Sequence, residues 1–128
     1  MYIVERSTEM AKHFTVCKNA AHVLLSGELD QYAAAALKNK IDIEVEESGK
    51  NNLIMDLTDV NFMDSSGIGL IIGRYKVLRP LGGSVAVCGA NPGVRRVIEL
   101  SGIEKLIPYF NTADEAAKFL ERNTSGKE

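Results

Sequence analysis

Residues 53–69 read Leu53-Ile54-Met55-Asp56-Leu57-Thr58-Asp59-Val60-Asn61-Phe62-Met63-Asp64-Ser65-Ser66-Gly67-Ile68-Gly69, and their order decides the fold. The apolar run Leu53 to Leu57 fits a short strand buried on both faces. A loop through Val60 and Phe62 comes next. From about Ser66 the apolar residues Ile68, Ile71, Ile72 and Tyr75 recur at helical spacing. This predicts a helix to Leu78, ended by Pro80 and Gly82-Gly83.

The same alternation extends to both sides. Upstream, His13–Cys17 and His22–Ser26 read as two short strands joined by a hairpin turn at 18–21. Asp30 supplies a helix N-cap ahead of four alanines, and Leu37, Ile41 and Val45 form the buried face of that helix. Lys38, Asp42 and Glu46 fall on the other face, and Gly49 stops it. Downstream, Val85–Cys88 is a second buried strand. Asn91-Pro92 opens a helix with Val94, Val97 and Ile98 as its apolar stripe, stopped by Gly102. Residues 106–110 read as a last strand, and Thr112 with Glu115 forms a capping box for a final helix to about Arg122. The expected architecture is therefore α/β. It is a mixed sheet of about five strands, the first antiparallel and the rest mostly parallel, with about four helices.

At 128 residues the chain fits one domain, with a core at about 12–120, an N-terminal extension at 1–11 and a flexible tail at 123–128. Hydrophobic residues make up 45%, enough for one core, and no window approaches a membrane span. The start Met1-Tyr2-Ile3-Val4-Glu5-Arg6 does not read as a signal peptide, so the expected location is the cytoplasm. In that setting the acceptor pattern Asn123-Thr124-Ser125 carries no meaning. A net charge of −2 with scattered basic residues argues against nucleic acid, and the densest basic stretch, Arg74 to Arg79, reads as an exposed helix side. Cys17 and Cys88 read as buried free thiols, with no metal motif.

Enzyme motifs fail in the 58–67 loop. A nucleophile elbow needs glycine on both sides of the serine, and Ser65 has Met63 at one of those positions. His13 and His22 read as ordinary strand residues, and no P-loop is present. Gly67-Ile68-Gly69 with Gly73 imitates a dinucleotide fingerprint. The preceding strand, however, ends ten residues early, and no acidic ribose partner follows Cys88-Gly89. A receiver-type phospho-aspartate at Asp56 is a stronger competitor, because Glu28 and Asp30 lie where a magnesium-binding acidic pair belongs. The lysine that such sites use after the last strand is missing at Pro108-Tyr109. The expected chain is not an enzyme and carries no cofactor.

The serine pair has two readings. Asp64-Ser65-Ser66 can simply cap a helix. That helix, however, holds Gly67, Gly69 and Gly73, each costing up to about 1 kcal/mol relative to alanine. Ser66, Gly69, Gly73 and Lys76 form one smooth stripe, which lets another backbone approach, either internal or from a partner. A phosphate on a serine at the head of the stripe would be tolerated by the helix N-terminus. A docked partner would have to bury nearly two added negative charges beside Asp64 and Asp59.

These blocks resemble a known family. Gly27-Glu28-Leu29-Asp30, Phe62 through Gly69, and Gly73-Arg74-Tyr75-Lys76 are similar to the anti-sigma-factor antagonists of the STAS domain family. The similarity continues through Gly82-Gly83, Asn91-Pro92-Gly93-Val94 and Leu100-Ser101-Gly102-Ile103. The Gly-Arg-Tyr-Lys segment looks most like the sporulation-type branch, the anti-sigma F factor antagonists. The resemblance implies that the unphosphorylated chain binds an anti-sigma factor with serine kinase activity and frees a sigma factor. Phosphorylation of Ser65 then breaks the complex, and a PP2C-type phosphatase resets it. It implies a binding surface of Gly27, Glu28, Leu29, Asp30, Asp64, Ser65, Ser66, Gly67, Gly69 and Gly73, and leaves Ser66 as the helix cap. The expected chain is a monomer or weak dimer with no nucleic-acid or membrane partner. Met1 to Lys12 is longer than the usual family start. The family also contains members of stress-signalling scaffolds, so that a scaffold subunit that is never phosphorylated is the alternative reading of this chain, and domains attached to anion transporters, which a free-standing chain without a span disfavours.

Overall fold

The computed structural model describes residues 11–126, so residues 1–10 of the expected N-terminal extension lie outside the described residues. Five strands, β1 (Ala11–Val16), β2 (Ala21–Leu29), β3 (Leu53–Met63), β4 (Val85–Cys88) and β5 (Tyr109–Phe110), form one sheet in the order of the chain. β1 is antiparallel to β2, and the remaining neighbours are parallel. Four helices connect or follow them: α1 (Gln31–Ser48), α2 (Ser65–Leu78), α3 (Pro92–Ser101) and α4 (Ala113–Gly126).

The helices divide between the two faces of the sheet. Ala33, Leu37, Ile41 and Val45 of α1 pack with Ile68 and Ile71 of α2 and Val94 and Ile98 of α3 against one face. On the other face α4 presents Ala116 and Leu120 to Ile54, Ala86 and Cys88. The expected caps form at both ends of the first helix. Asp30 accepts the Ala33 N–H at 2.9 Å, and Gly49 closes α1 at φ 76°, a left-handed backbone that favours glycine. Asn91 caps α3 through Val94 N at 2.8 Å, and Thr112 Oγ1 accepts Glu115 N at 3.2 Å.

Several expectations are corrected. The loop through Val60 and Phe62 is the outer half of β3, which runs on to Met63. Helix α2 starts at Ser65 with Asp64, not Ser66, as its cap: the Asp64 carboxylate accepts Ser66 N at 2.8 Å. An ionised carboxylate takes that amide better than a hydroxyl does. The last strand shrinks to Tyr109–Phe110, because Ile103–Lys105 tightens into a 3-10 turn and Pro108 has no N–H to pair. Helix α4 continues to Gly126, past the expected end at Arg122. Arg74 does not belong to an exposed basic side. It is buried between α1 and α2, with Nε 2.7 Å from Asp42 Oδ1, although that N–H is not aimed along the contact. Cys88 is buried, but Cys17 is only half-buried, just past the end of the edge strand β1.

Candidate functional site

The ends of β2 and β3 bring the two singled-out segments together. Glu28 pairs with Phe62 and Leu29 with Met63, so Asp30 and Asp64 leave adjacent strand ends to cap α1 and α2. The strands do not reach that end in step. Leu24 lies opposite Asp56 and Leu29 opposite Met63, so β3 spends seven residues where β2 spends five. The two extra residues fall between Asp56 and Asp59 and between Val60 and Phe62. Gly27, at φ 85°, stands beside the second irregularity. Such bulges bend a strand and re-aim the residues beyond them.

The predicted site residues then separate into two layers. Ser65, Gly69 and Glu28 are exposed, and Gly27, Asp30, Asp64, Ser66 and Gly73 are half-buried. Leu29 and Gly67 are buried beneath them. A Cβ on Gly67 would overlap Met63 Cγ and approach Leu29 Cδ2 to 3.3 Å, so this glycine lets the first turn of α2 sit directly on the ends of β2 and β3. Leu29 and Gly67 support the surface and present no side chain on it.

Gly69 and Gly73 differ from Gly67. A Cβ on either would meet nothing within 4 Å. The smooth stripe therefore has no internal packing role and faces an open groove, lined by Ala34, Ala35 and Lys38 of α1 and Ser66, Gly69 and Gly73 of α2. At Ala35 the groove meets a shallow hollow bordered by Asp30, Gln31, Tyr32 and Asp64. Tyr32 is 78% exposed and Phe62 47%, which leaves two large apolar rings around the cap residues. The surface is small and partly apolar, and it is acidic at Asp30 and Asp64. Ser65 stands on the first turn of α2, where the helix N-terminus favours an added anion while Asp64 opposes one.

The competing chemistry does not assemble. Asp56 lies inside β3, and its carboxylate is already engaged. Oδ2 accepts from His22 Nε2 at 2.9 Å, and Oδ1 accepts from Thr58 N at 3.0 Å and Thr58 Oγ1 at 2.6 Å. Burial pushes this carboxyl up, but the hydrogen bonds from His22 and Thr58 together outweigh it and hold the group below the usual carboxylate range. Glu28 sits opposite Phe62, far along the strand from Asp56, and Asp30 is spent on α1, so the acidic pair of a receiver site is not formed. Burial, followed by the charge of Asp56, pushes the Cys88 thiol up to about 12, which keeps it protonated. Among the described residues no cluster of histidine, cysteine and acidic side chains fits a metal ion. Of the two grounds against the dinucleotide reading, the missing acidic partner after Cys88-Gly89 stands and the other changes. Because β3 reaches Met63, strand and glycines are close enough, but Gly67 already lies within α2, its N–H bonded to Asp64 O at 3.0 Å. His22, read as an ordinary strand residue, turns out to be a partner of Asp56; the two are 34 positions apart, and nothing local signals the pairing.

A family model described as the STAS domain matches residues 2–116. An anti-sigma F factor antagonist of Paenibacillus polymyxa is 37% identical over 99 residues, 77% of this chain and 85% of that protein. An anti-sigma-B factor antagonist of Bacillus subtilis is 31% identical over 90 residues, 70% of this chain and 81% of that protein. The structure of the anti-sigma factor antagonist SpoIIAA in its unphosphorylated form superposes with a TM-score of 0.70 at 28% identity, covering 85% of this chain and 96% of that one. The fold thus recurs in a protein alike in sequence over most of its length, and the family model and the relatives cover most of this chain: the chain belongs to the STAS domain family, in its group of anti-sigma-factor antagonists.

Proposed function

We propose that this chain is the antagonist in a phosphorylation-controlled partner switch in the cytoplasm. Unphosphorylated, it binds an anti-sigma factor that is also a serine kinase, and so releases a sigma factor. Phosphorylation of Ser65 by that kinase breaks the complex, and a PP2C-type phosphatase restores it. The binding surface comprises Gly27, Glu28, Asp30, Asp64, Ser65, Ser66, Gly69 and Gly73, with Leu29 and Gly67 supporting it from below. The greater identity to an antagonist of the F type favours the sporulation branch over the stress-response one.

The observation that carries this reading is the position of Ser65. It is exposed on the first turn of α2, next to Ser66, which lines a groove whose glycines have no packing neighbour. A free hydroxyl there leaves the groove smooth. A phosphate adds close to two negative charges beside the Asp64 carboxylate. The helix tolerates them, but a partner closed over the groove has to bury them. Even a net cost of about 3 kcal/mol weakens binding roughly a hundredfold.

The test compares wild type, Ser65→Ala and Ser65→Asp as bait in native lysate, with captured proteins identified by mass spectrometry and acid-stable phosphate measured on the bait. The alanine form is expected to retain a protein with a kinase-type ATP site, the aspartate form to lose it, and only wild type to take up phosphate. Equal retention by all three forms would sink the switch.

A further inference from the structure

We infer that Asp56 is a positioning residue for Ser65, acting through Thr58 and the first bulge of β3. The proposal rests on the reading of Ser65 as the modified residue.

The core-facing residues of β3 show what the bulges do. Leu53, Met55 and Leu57 lie in the main core at the ordinary spacing of two, and then come Val60 and Met63 at spacings of three. Each step of three marks one extra residue. With one extra residue alone, Met63 would turn to the opposite face of the sheet, because side chains alternate with a period of two. With both, Met63 returns to the core opposite Leu29 and beneath Gly67. The next residues, Asp64 and Ser65, are thereby delivered to the start of α2.

Asp56 holds the first of these bulges from three directions. Its Oδ1 accepts both the backbone N–H and the hydroxyl of Thr58, one of the two residues between the Leu24–Asp56 and Ser26–Asp59 pairings. Its Oδ2 is tied to His22 on β2, the strand against which the bulge is measured. From the β4 side, Gly89 at φ 80° closes on the same pair: a Cβ there would overlap Thr58 Oγ1 and lie 3.0 Å from Asp56 Oδ1. A further tie on the outer half of β3 is Asn91 Nδ2 donating to Val60 O at 3.3 Å. Without Asp56, the Thr58 N–H in the bulge loses its acceptor, and the register beyond it loses its fixed point.

The test uses the isolated, isotopically labelled protein and compares wild type with Asp56→Asn and Asp56→Ala by amide chemical shift and hydrogen exchange. Asparagine keeps an acceptor for Thr58, so its amides at 60–67 are expected to remain near wild type. In Asp56→Ala the amides of Val60, Met63, Ser66 and Gly67 are expected to shift and to exchange faster by about tenfold or more, while Leu53–Met55 and α3 stay protected. Thr58→Val, which removes only the hydroxyl bond, gives the same regional pattern at smaller amplitude and serves if Asp56→Ala does not fold. Uniform loss of protection along the chain, or unchanged amides at 63–67, overturns the proposal. The readout involves neither kinase nor phosphate, so its failure leaves the Ser65 reading standing, and failure of the Ser65 captures leaves this result standing.

Discussion

The inner and outer halves of β3 obey different rules. From Leu53 to Leu57 every residue is buried, sandwiched between α1–α3 on one face and α4 on the other. From Thr58 to Met63 only Val60 and Met63 are buried, the ladder to β4 has ended, and polar groups hold the backbone. The inner half is held by apolar burial, which is indifferent to small changes of direction. The outer half buries little, and it is shaped by a few directional hydrogen bonds. Directional bonds set where a strand end points, which is what a surface serine needs.

The largest test of this contrast is stability. Met55→Ala removes a fully buried side chain from the inner half and is expected to cost about 2–5 kcal/mol in urea denaturation. Phe62→Ala in the outer half, where the ring is half exposed, is expected to fall within about 0.5 kcal/mol of wild type. Equal losses would mean that Phe62 is packed as firmly as the inner half.

A second comparison lies just beyond, along α2. Gly67→Ala pushes a methyl into Met63 and is expected to destabilise by about 1–3 kcal/mol. Gly69→Ala meets open space in an established helix and is expected to stabilise by up to about 1 kcal/mol. Thermal denaturation of the two variants would separate them, and on the proposed function the more stable Gly69→Ala binds its partner less well. A destabilised Gly69→Ala would show that the groove is not open.

The smallest effect concerns pH. Because the Asp56 carboxyl sits below its ordinary value, it contributes stability that is fully present above the unfolded value of about 4. That contribution is lost as pH falls through the lower folded value. The gap in stability between wild type and Asp56→Asn is therefore expected to narrow as pH falls below about 4. A gap that widens in acid would mean that the folded protein does not favour the ionised form.

Much of this protein was legible because its signals are local. Asp30, Asn91, Gly49 and Gly102 mark helix ends through hydrogen bonds and backbone angles within four residues of themselves. The apolar runs at 53–57 and 85–88 announce buried strands, and Asp64-Ser65-Ser66-Gly67 with its glycine stripe points to the surface that the fold exposes. The outer half of β3 reads as a loop in the sequence because its two bulges break the alternation by which strands are recognised. The burial of Arg74 depends on Asp42, 32 positions away on α1, and the engagement of Asp56 depends on His22. The sequence by itself determined most of the elements, the caps of α1, α3 and α4 and the segment proposed to carry the switch, since each rests on short-range periodicity and turn chemistry. Only the tertiary structure decided the strand order, the cap of α2 on Asp64, the layering of Leu29 and Gly67 under the surface, and the polar ties around Asp56. Those features arise when distant residues meet, and no local pattern encodes such a meeting.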